Sequence, residues 1–224
     1  MRNYSEFYLK GLHLNKPGAL ALRAGRCQVT VCRGEGVIQS IKVGVSGSAV
    51  IADKESARKA ELIGYHLARA GAIVVTGDTT GIPDEAAKGA KKAGGFTLGV
   101  SPAHNFHDHI RRYKLPYKYT DFAIYTGFGY SGRNLLFIRA TDAVIFVHGR
   151  IGTLNEFTIA FEDKKPIGIL TDSGGISDEL DHLLTVAHRG RNQIIFDDNP
   201  KRLVEKVLKM AKADINRIAR GADG

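Results

Sequence analysis

The chain has 224 residues, of which 43% are hydrophobic and 25% charged, which is the composition of an ordinary globular domain and excludes a disordered, collagen-like or coiled-coil chain. No apolar run approaches the ~20 residues that a membrane-spanning helix needs. The formal charge of +9 first suggests a nucleic-acid-binding protein, but the surplus is terminal: residues 1–40 and 200–224 carry +4 each, and residues 41–199 carry +1.

Short β-rich runs alternate with helical stretches from Ser40 onward, the pattern of a parallel sheet with helices on both faces. Strands are predicted at Ile41–Val45, Ile73–Thr76, Thr97–Val100, Phe122–Tyr125, Ala143–Val147, Ile167–Leu170 and Gln193–Phe196. Helices are predicted at Ser56–Ala70, Pro83–Ala93, Arg133–Ala140, Thr153–Phe161, Ser177–His188 and Pro200–Arg220. The continuous apolar run Ala143–Val147 indicates a strand that is buried on both faces. The pattern predicts one α/β domain over residues 40–224, a Rossmann-like open and mostly parallel sheet that ends in a helix at 200–220.

Residues 1–39 do not follow this alternation. Their scattered valines and glycines are compatible with a small β-rich hairpin on the sheet edge or with an arm that reaches a partner, and both alternatives stay open. Cys27 and Cys32, the two cysteines, are too few for a disulfide framework and lack companions for a zinc site, so both are expected as free thiols. The chain shows no signal-peptide pattern, and we expect it in the cytoplasm.

Four glycine-rich turns follow predicted strands and are expected to meet at one edge of the sheet, where backbone N–H groups can approach a phosphate. They are residues 44–48, 76–81, 127–132 and 149–153. The third reads G-x-G-x-x-G, but it follows the fourth strand and no acidic residue lies about 20 positions further on, as a dinucleotide site requires. It therefore indicates a tight loop that faces a ligand, and no cofactor is expected.

The fourth turn opens a helix with Gly149, Gly152 and Thr153, and Glu156 follows in the first turn. One interpretation is a phosphate cradle with a carboxylate beside it. The other is a capping box, with Thr153 as the N-cap and Glu156 three residues later, which needs no ligand. This motif alone does not decide between them.

The segment from Ser131 to Glu156 resembles the Lonely Guy (LOG) family of nucleoside 5′-monophosphate phosphoribohydrolases, formerly labelled lysine decarboxylases. Arg133 matches the family's motif arginine, Asp142-Ala143 its strand entry, and the turn at 149–156 its P-G-G-x-G-T-x-x-E motif. Residues 75–102 resemble its glycine-rich helix and following strand, and residues 44–48 lie where its first-strand G-S-S lies. The sequence departs from the family at His148, Arg150 and the turn 78–80, where the family has proline or glycine.

The resemblance implies cleavage of the N-glycosidic bond of a nucleotide, releasing a base and ribose 5-phosphate. Glu156 would stabilise the oxocarbenium-like transition state or activate water, and Arg133 would orient the substrate or bind the departing base. The expected phosphate and nucleotide ligands are Gly47, Ser48, Gly77, Asp78, Thr79, Gly81, Gly149, Arg150, Gly152 and Thr153. The resemblance also implies a homodimer or higher homo-oligomer, and no metal.

Two other functions remain possible at this stage. A non-hydrolytic carrier of a nucleotide or of molybdopterin, as in LOG-like molybdenum-cofactor carriers, is favoured by Asp78 and Arg150 in the turns. DNA binding comes third, because it rests mainly on the basic ends, so nucleic acid and membranes are not expected partners. The five tyrosines between 113 and 130 could stack on a base or pack in a core or interface. The histidines at 104, 107 and 109 share no helical face and are expected in a surface or cleft-rim segment.

Overall fold

The computed structural model describes residues 40–50, 53–191 and 193–222, and strands and helices alternate along them. The strands are β1 (Lys42–Gly47), β2 (Ile73–Thr76), β3 (Thr97–Ser101), β4 (Phe122–Tyr125), β5 (Ala143–Val147), β6 (Ile167–Leu170) and β7 (Ile194–Asp197). The helices are α1 (Lys54–Arg69), α2 (Ile82–Lys92), α3 (Phe106–Arg111), α4 (Gly129–Arg139), α5 (Ile151–Glu162), α6 (Ile176–Val186) and α7 (Pro200–Ala222). The segment predicted as a hairpin or arm, 1–39, lies outside the described residues.

The seven strands form one parallel sheet in the order β4-β3-β2-β1-β5-β6-β7. This confirms the prediction of a Rossmann-like α/β fold. The chain builds outward from β1 to β4, then crosses back to place β5 on the other side of β1. The connections that follow β1 and β5 therefore diverge, which opens a crevice at the carboxyl ends of these two central strands.

Side chains of alternating strand residues enter two cores, one on each face of the sheet. In β5, Ala143, Ile145 and Val147 belong to the core beneath α1, α2 and α7. The intervening Val144 and Phe146 belong to the core beneath α4, α5 and α6. All five residues of β5 are buried, as its apolar sequence predicts. Within the described residues, no helix is both long enough and apolar enough to cross a membrane.

Three local predictions need correction. α3 lies in a segment expected to have no helix, where Asn105 caps it by accepting a hydrogen bond from the Asp108 N–H at 2.9 Å. His109, expected at the surface or cleft rim, is fully buried because its two ring nitrogens bond Ser101 Oγ at 2.8 Å and the Pro116 carbonyl at 2.9 Å. α4 begins at Gly129 rather than Arg133, so part of the G-x-G-x-x-G turn is already helical.

Candidate functional site

A cleft of about 300 Å³ lies at the carboxyl ends of β1 and β5, a volume at the lower end of the range for small-molecule sites. Its walls are the turns after β1 and β2, one side of α4 and the first turn of α5. Nine of the twelve predicted site residues line it: Gly47, Ser48, Gly77, Thr79, Arg133, Arg150, Gly152, Thr153 and Glu156. Asp78, Gly81 and Gly149 do not line it.

A buried ion pair forms the floor of the cleft. Arg133 on α4 and Glu156 on α5 are only 5% and 6% exposed, and Arg133 Nη1 lies 3.0 Å from Glu156 Oε1. The hydroxyl of Ser46, near the end of β1, donates to the other carboxylate oxygen. Burial raises the pKa of the Glu156 carboxyl, and the charge of Arg133 and the Ser46 hydrogen bond act in the opposite direction. Both oxygens of Glu156 are therefore engaged by the protein itself.

Glu156 takes no part in capping α5, so the predicted capping box of Thr153 as the N-cap and Glu156 three residues later is wrong. The N-cap is Arg150, three residues before Thr153. Thr153 Oγ1 accepts a hydrogen bond from the Arg150 N–H at 3.3 Å. This places Glu156 in the second turn, where its side chain is directed at Arg133 and Ser46 rather than at the helix end.

Gly77 allows the guanidinium of Arg133 to lie where it does. A Cβ atom at position 77 would overlap Nη1 and crowd the rest of the guanidinium group. The guanidinium also lies 5.9 Å from the centre of the Phe137 ring. Its Nε atom is buried and has no hydrogen-bond partner among the described residues. The ion pair is thus held between the turn after β2 and the side of α4.

The first turn of α5 supplies the donors of the cleft. Helix geometry leaves the N–H groups of Ile151, Gly152 and Thr153 without intrahelical acceptors, and they lie at the positive end of the helix dipole. Arg150 is exposed and has an extended backbone, with φ −137°. The left-handed φ values fall one and two residues earlier, at Gly149 and His148. An arginine at position 150 therefore causes no backbone strain and adds a guanidinium to an anion-binding helix end.

His148 has φ +56°, which the ring of a proline does not permit. Its Nδ1 accepts from the Gly149 N–H at 2.7 Å, and its own N–H donates to Ser173 Oγ at 2.8 Å. The histidine therefore stabilises the turn before α5. Gly149, with φ +103°, shapes the same turn from outside the cleft.

Asp78, expected to bind phosphate or ribose, is turned away from the cleft. Its carboxylate lies against Gly99 of β3, accepts a hydrogen bond from Thr120 Oγ1 at 2.8 Å and lies 3.7 Å from His109 Nδ1. Burial raises the pKa of the Asp78 carboxyl, which the bond from Thr120 opposes. Asp78 therefore fixes the segment before β4 and is not placed to bind a ligand in the cleft. Gly81 packs against the backbone of Ser48 and Ala49.

Sequence reasoning did not single out Ser46 or Asn134, and it left Tyr130 undecided. Tyr130 stands half exposed at the mouth of the cleft, with its ring edge-to-face on Tyr113 at 5.6 Å. Asn134 lies one residue after Arg133 on the buried side of α4 and also lines the cleft. Ser46 lies inside the G-V-S-G-S turn. Its place at the glycine-rich end of a strand is the signal in the sequence that could have identified it.

Residues 40–204 match the family model described as the SLOG cluster4 family. The chain belongs to the SLOG cluster4 family. This membership confirms the resemblance to the LOG superfamily that the motifs around Arg133 and Glu156 indicate.

This SLOG cluster4 chain is similar to one curated relative and to several solved structures. An uncharacterized protein of Archaeoglobus fulgidus is 31% identical over 130 residues, 58% of this chain and 80% of the relative. The molybdenum cofactor binding protein of Rippkaea orientalis is 29% identical, with a TM-score of 0.64 over 80% of this chain and 99% of that one. DNA processing protein A of Helicobacter pylori, whose structure concerns single-stranded DNA binding, is 19% identical, with a TM-score of 0.55 over 75% and 80% of the two chains. The last likeness shows a shared fold alone.

Proposed function

We propose that the cleft binds and holds a small phosphate ester of a flat heterocycle, a nucleotide or a molybdopterin, without cleaving it. The observation that carries this proposal is the engagement of Glu156. It is the single carboxylate among the described residues that line the cleft, and both of its oxygens bond to Arg133 and Ser46. A buried, neutralised carboxylate is poorly placed to activate water or face a developing cation.

The charge of the cleft favours an anionic ligand. Arg133 is neutralised by Glu156, which leaves the Arg150 guanidinium and the N–H groups at the start of α5 for a phosphate. Tyr130 offers a ring face near the mouth for the heterocycle. The Rippkaea orientalis protein binds the molybdenum cofactor, which is a pterin with a phosphate group, and it supports the same class of ligand here.

Replacing Arg150 with glutamine should weaken the binding of AMP about tenfold, the effect of losing one charge-assisted hydrogen bond. Isothermal titration calorimetry with AMP gives the affinity, and native mass spectrometry of the protein purified from cells detects a retained nucleotide or pterin. Arg58→Gln, which removes an exposed arginine on α1, is the matched control and should bind AMP like the wild type. Equal affinity of wild type and Arg150→Gln, with no retained ligand, contradicts the proposal.

Hydrolysis of the N-glycosidic bond is the second candidate, and the presence of Arg133 and Glu156 in one cleft favours it. It requires Glu156 to part from Arg133 and Ser46 when the ligand binds, so that the carboxylate can face the sugar's anomeric carbon. Incubation of the protein with AMP, followed by measurement of released adenine, distinguishes the two functions. Release of adenine by the wild type, abolished in Glu156→Gln, supports the hydrolase and contradicts the carrier proposal. If AMP and the other common nucleoside monophosphates all remain intact, hydrolysis is excluded as the function.

We also propose a homodimer through α4 and the edge strand β4. α4 buries Phe137 and Ile138 yet exposes Leu135 and Leu136, and β4 exposes Phe122 and Ile124. A helix that is apolar on several faces is normally covered on several faces, and exposed apolar patches mark interaction surfaces.

Sedimentation velocity should therefore show a dimer for the wild type and a monomer for Leu135→Glu/Leu136→Glu. Val186→Glu changes an equally apolar residue that is 60% exposed on α6, and this control should stay dimeric. A monomeric wild type at micromolar concentration rules the interface out.

A further inference from the structure

Residues 111–119, which are the last residue of α3 and most of the loop before β4, concentrate positive charge on the surface. Arg111, Arg112, Lys114 and Lys118 are all exposed. Arg112 Nη1 lies 3.9 Å from Asp108, whereas Arg111, Lys114 and Lys118 form no ion pair with any described residue. The near-neutral balance of residues 41–199 therefore conceals a local basic patch. We call residues 111–119 the basic–aromatic loop.

Aromatic rings alternate with these charges. Tyr117 of the loop and Phe106 of α3 are 60% and 51% exposed, and their rings meet edge-to-face at 5.4 Å. The Arg112 guanidinium lies 5.4 Å from the centre of the Tyr113 ring, and Lys118 Nζ lies 5.3 Å from that of Tyr119. Ile110 of α3 and residues 114–118 of the loop line a shallow depression of about 680 Å³. The surface thus presents cations and ring faces side by side around a concavity.

Buried contacts hold the loop in this shape. Leu115 is buried and its N–H donates to the His109 carbonyl at 3.1 Å. The Pro116 carbonyl lies 2.9 Å from His109 Nε2, and Thr120 Oγ1 bonds Asp78 at 2.8 Å. His109 and Asp78, the buried groups that hold the loop, do not line the cleft. Because the loop is already ordered, little conformational entropy remains to be lost when a ligand binds.

We propose that the basic–aromatic loop is a binding surface for single-stranded nucleic acid. Arg111, Lys114 and Lys118 contact phosphates, and bases stack on Tyr117 and Phe106. Alternating cations and exposed rings are the surface that unpaired strands require, whereas the bases of a duplex are stacked on each other and unavailable to protein rings. The proposal replaces the expectation that nucleic acid is not a partner.

Fluorescence anisotropy with a labelled oligothymidylate, measured over a range of salt concentrations, tests the proposal. Arg111→Gln/Lys114→Asn/Lys118→Gln removes three charges, and asparagine tolerates the φ of +54° at position 114. We expect this variant to bind at least about tenfold more weakly at low salt, with a salt slope lower by about 2, near 0.7 for each lost phosphate contact. Tyr117→Ser, at an exposed position, should weaken binding by about 1 kcal/mol or more, which is about fivefold.

The matched control is Lys201→Gln/Lys209→Gln/Lys212→Gln, which removes three exposed charges from α7. Oligonucleotide binding should be unchanged in this variant, and AMP binding in the cleft should be unchanged in the loop variant. An equal loss with the α7 variant shows that only net charge matters and overturns the proposal. So does tighter binding of duplex than of single strand, or no binding at low salt. Loss of AMP binding in the loop variant would show that the loop belongs to the cleft instead and would overturn the proposal. Failure of AMP to bind the wild type would contradict the proposed function of the cleft but would leave the oligonucleotide measurement valid.

Discussion

Replacing Arg133 with methionine should lower the free energy of unfolding by about 3–5 kcal/mol, the usual effect of removing one partner of a buried ion pair. The replacement leaves Glu156, 6% exposed, without its counter-ion. Ser46 then remains as a hydrogen-bond donor to the carboxylate, and one neutral hydroxyl does not replace a charge. Urea denaturation followed by circular dichroism, with linear extrapolation to water, measures the change.

The double variant Arg133→Met/Glu156→Met should recover a large part of that loss, because it leaves no unpaired charge and roughly conserves volume. Arg58→Met, which breaks the exposed pair with Glu55, is the control and should change stability little. A thermodynamic cycle over the wild type, the two single variants and the double variant isolates the coupling between the two side chains. Equal stability of Arg133→Met and Arg58→Met would falsify the buried ion pair as a stabilising element of the cleft floor.

The strands were predictable because each is a short run rich in apolar and β-branched residues that alternates with a helical stretch. β2, β4, β5 and β6 have the predicted bounds, β3 is one residue longer at its end, and β1 and β7 are shifted by one or two residues at both ends. α3 was not predictable in this way. Its six residues, FHDHIR, are too few to show an apolar repeat, and His109 is held by Ser101 and Pro116, eight and seven residues away in the chain. Asn105, which caps the helix, is the local signal in the sequence, and the burial of His109 cannot be read from so short a segment.

The sequence predicts which turns meet at the cleft, but not which way the side chains of those turns are directed. Parallel strands end at one edge, so residues in the turns after β1, β2 and β5 must lie close together. Side-chain direction depends on single φ values: Asp78, at φ +53°, turns toward β3, whereas its neighbours Gly77 and Thr79 line the cleft. The sequence likewise contains both Thr153 and Glu156 in capping-box spacing, and only the position of Arg133 shows that Glu156 has another partner.

Gly64→Ala should lower the free energy of unfolding by about 3 kcal/mol or more, at the upper end of the range for overpacked cores. α1 and α2 cross in close contact at two glycines, Gly64 on α1 and Gly89 on α2. A Cβ at position 64 would overlap the carbonyl of Ala86, and one at position 89 would overlap the carbonyl of Glu61. Both obstacles are backbone atoms, so no side-chain rotation relieves them and the helices must separate. The higher helix propensity of alanine offsets only about 1 kcal/mol of this cost.

Gly152→Ala is the matched control, because a Cβ at that position in the first turn of α5 meets no atom within 4 Å, and its stability should equal or slightly exceed that of the wild type. If Gly64→Ala unfolds at the same urea concentration as the wild type, the helices do not pack at the observed separation. The double variant Gly64→Ala/Gly89→Ala sharpens the test. Once one methyl group has moved the helices apart, the second meets a wider gap. The double variant should therefore lose less unfolding free energy than the sum of the losses of the two single variants. Full additivity would mean that each added methyl group is accommodated by its own local shift, and that α1 and α2 do not move as rigid bodies.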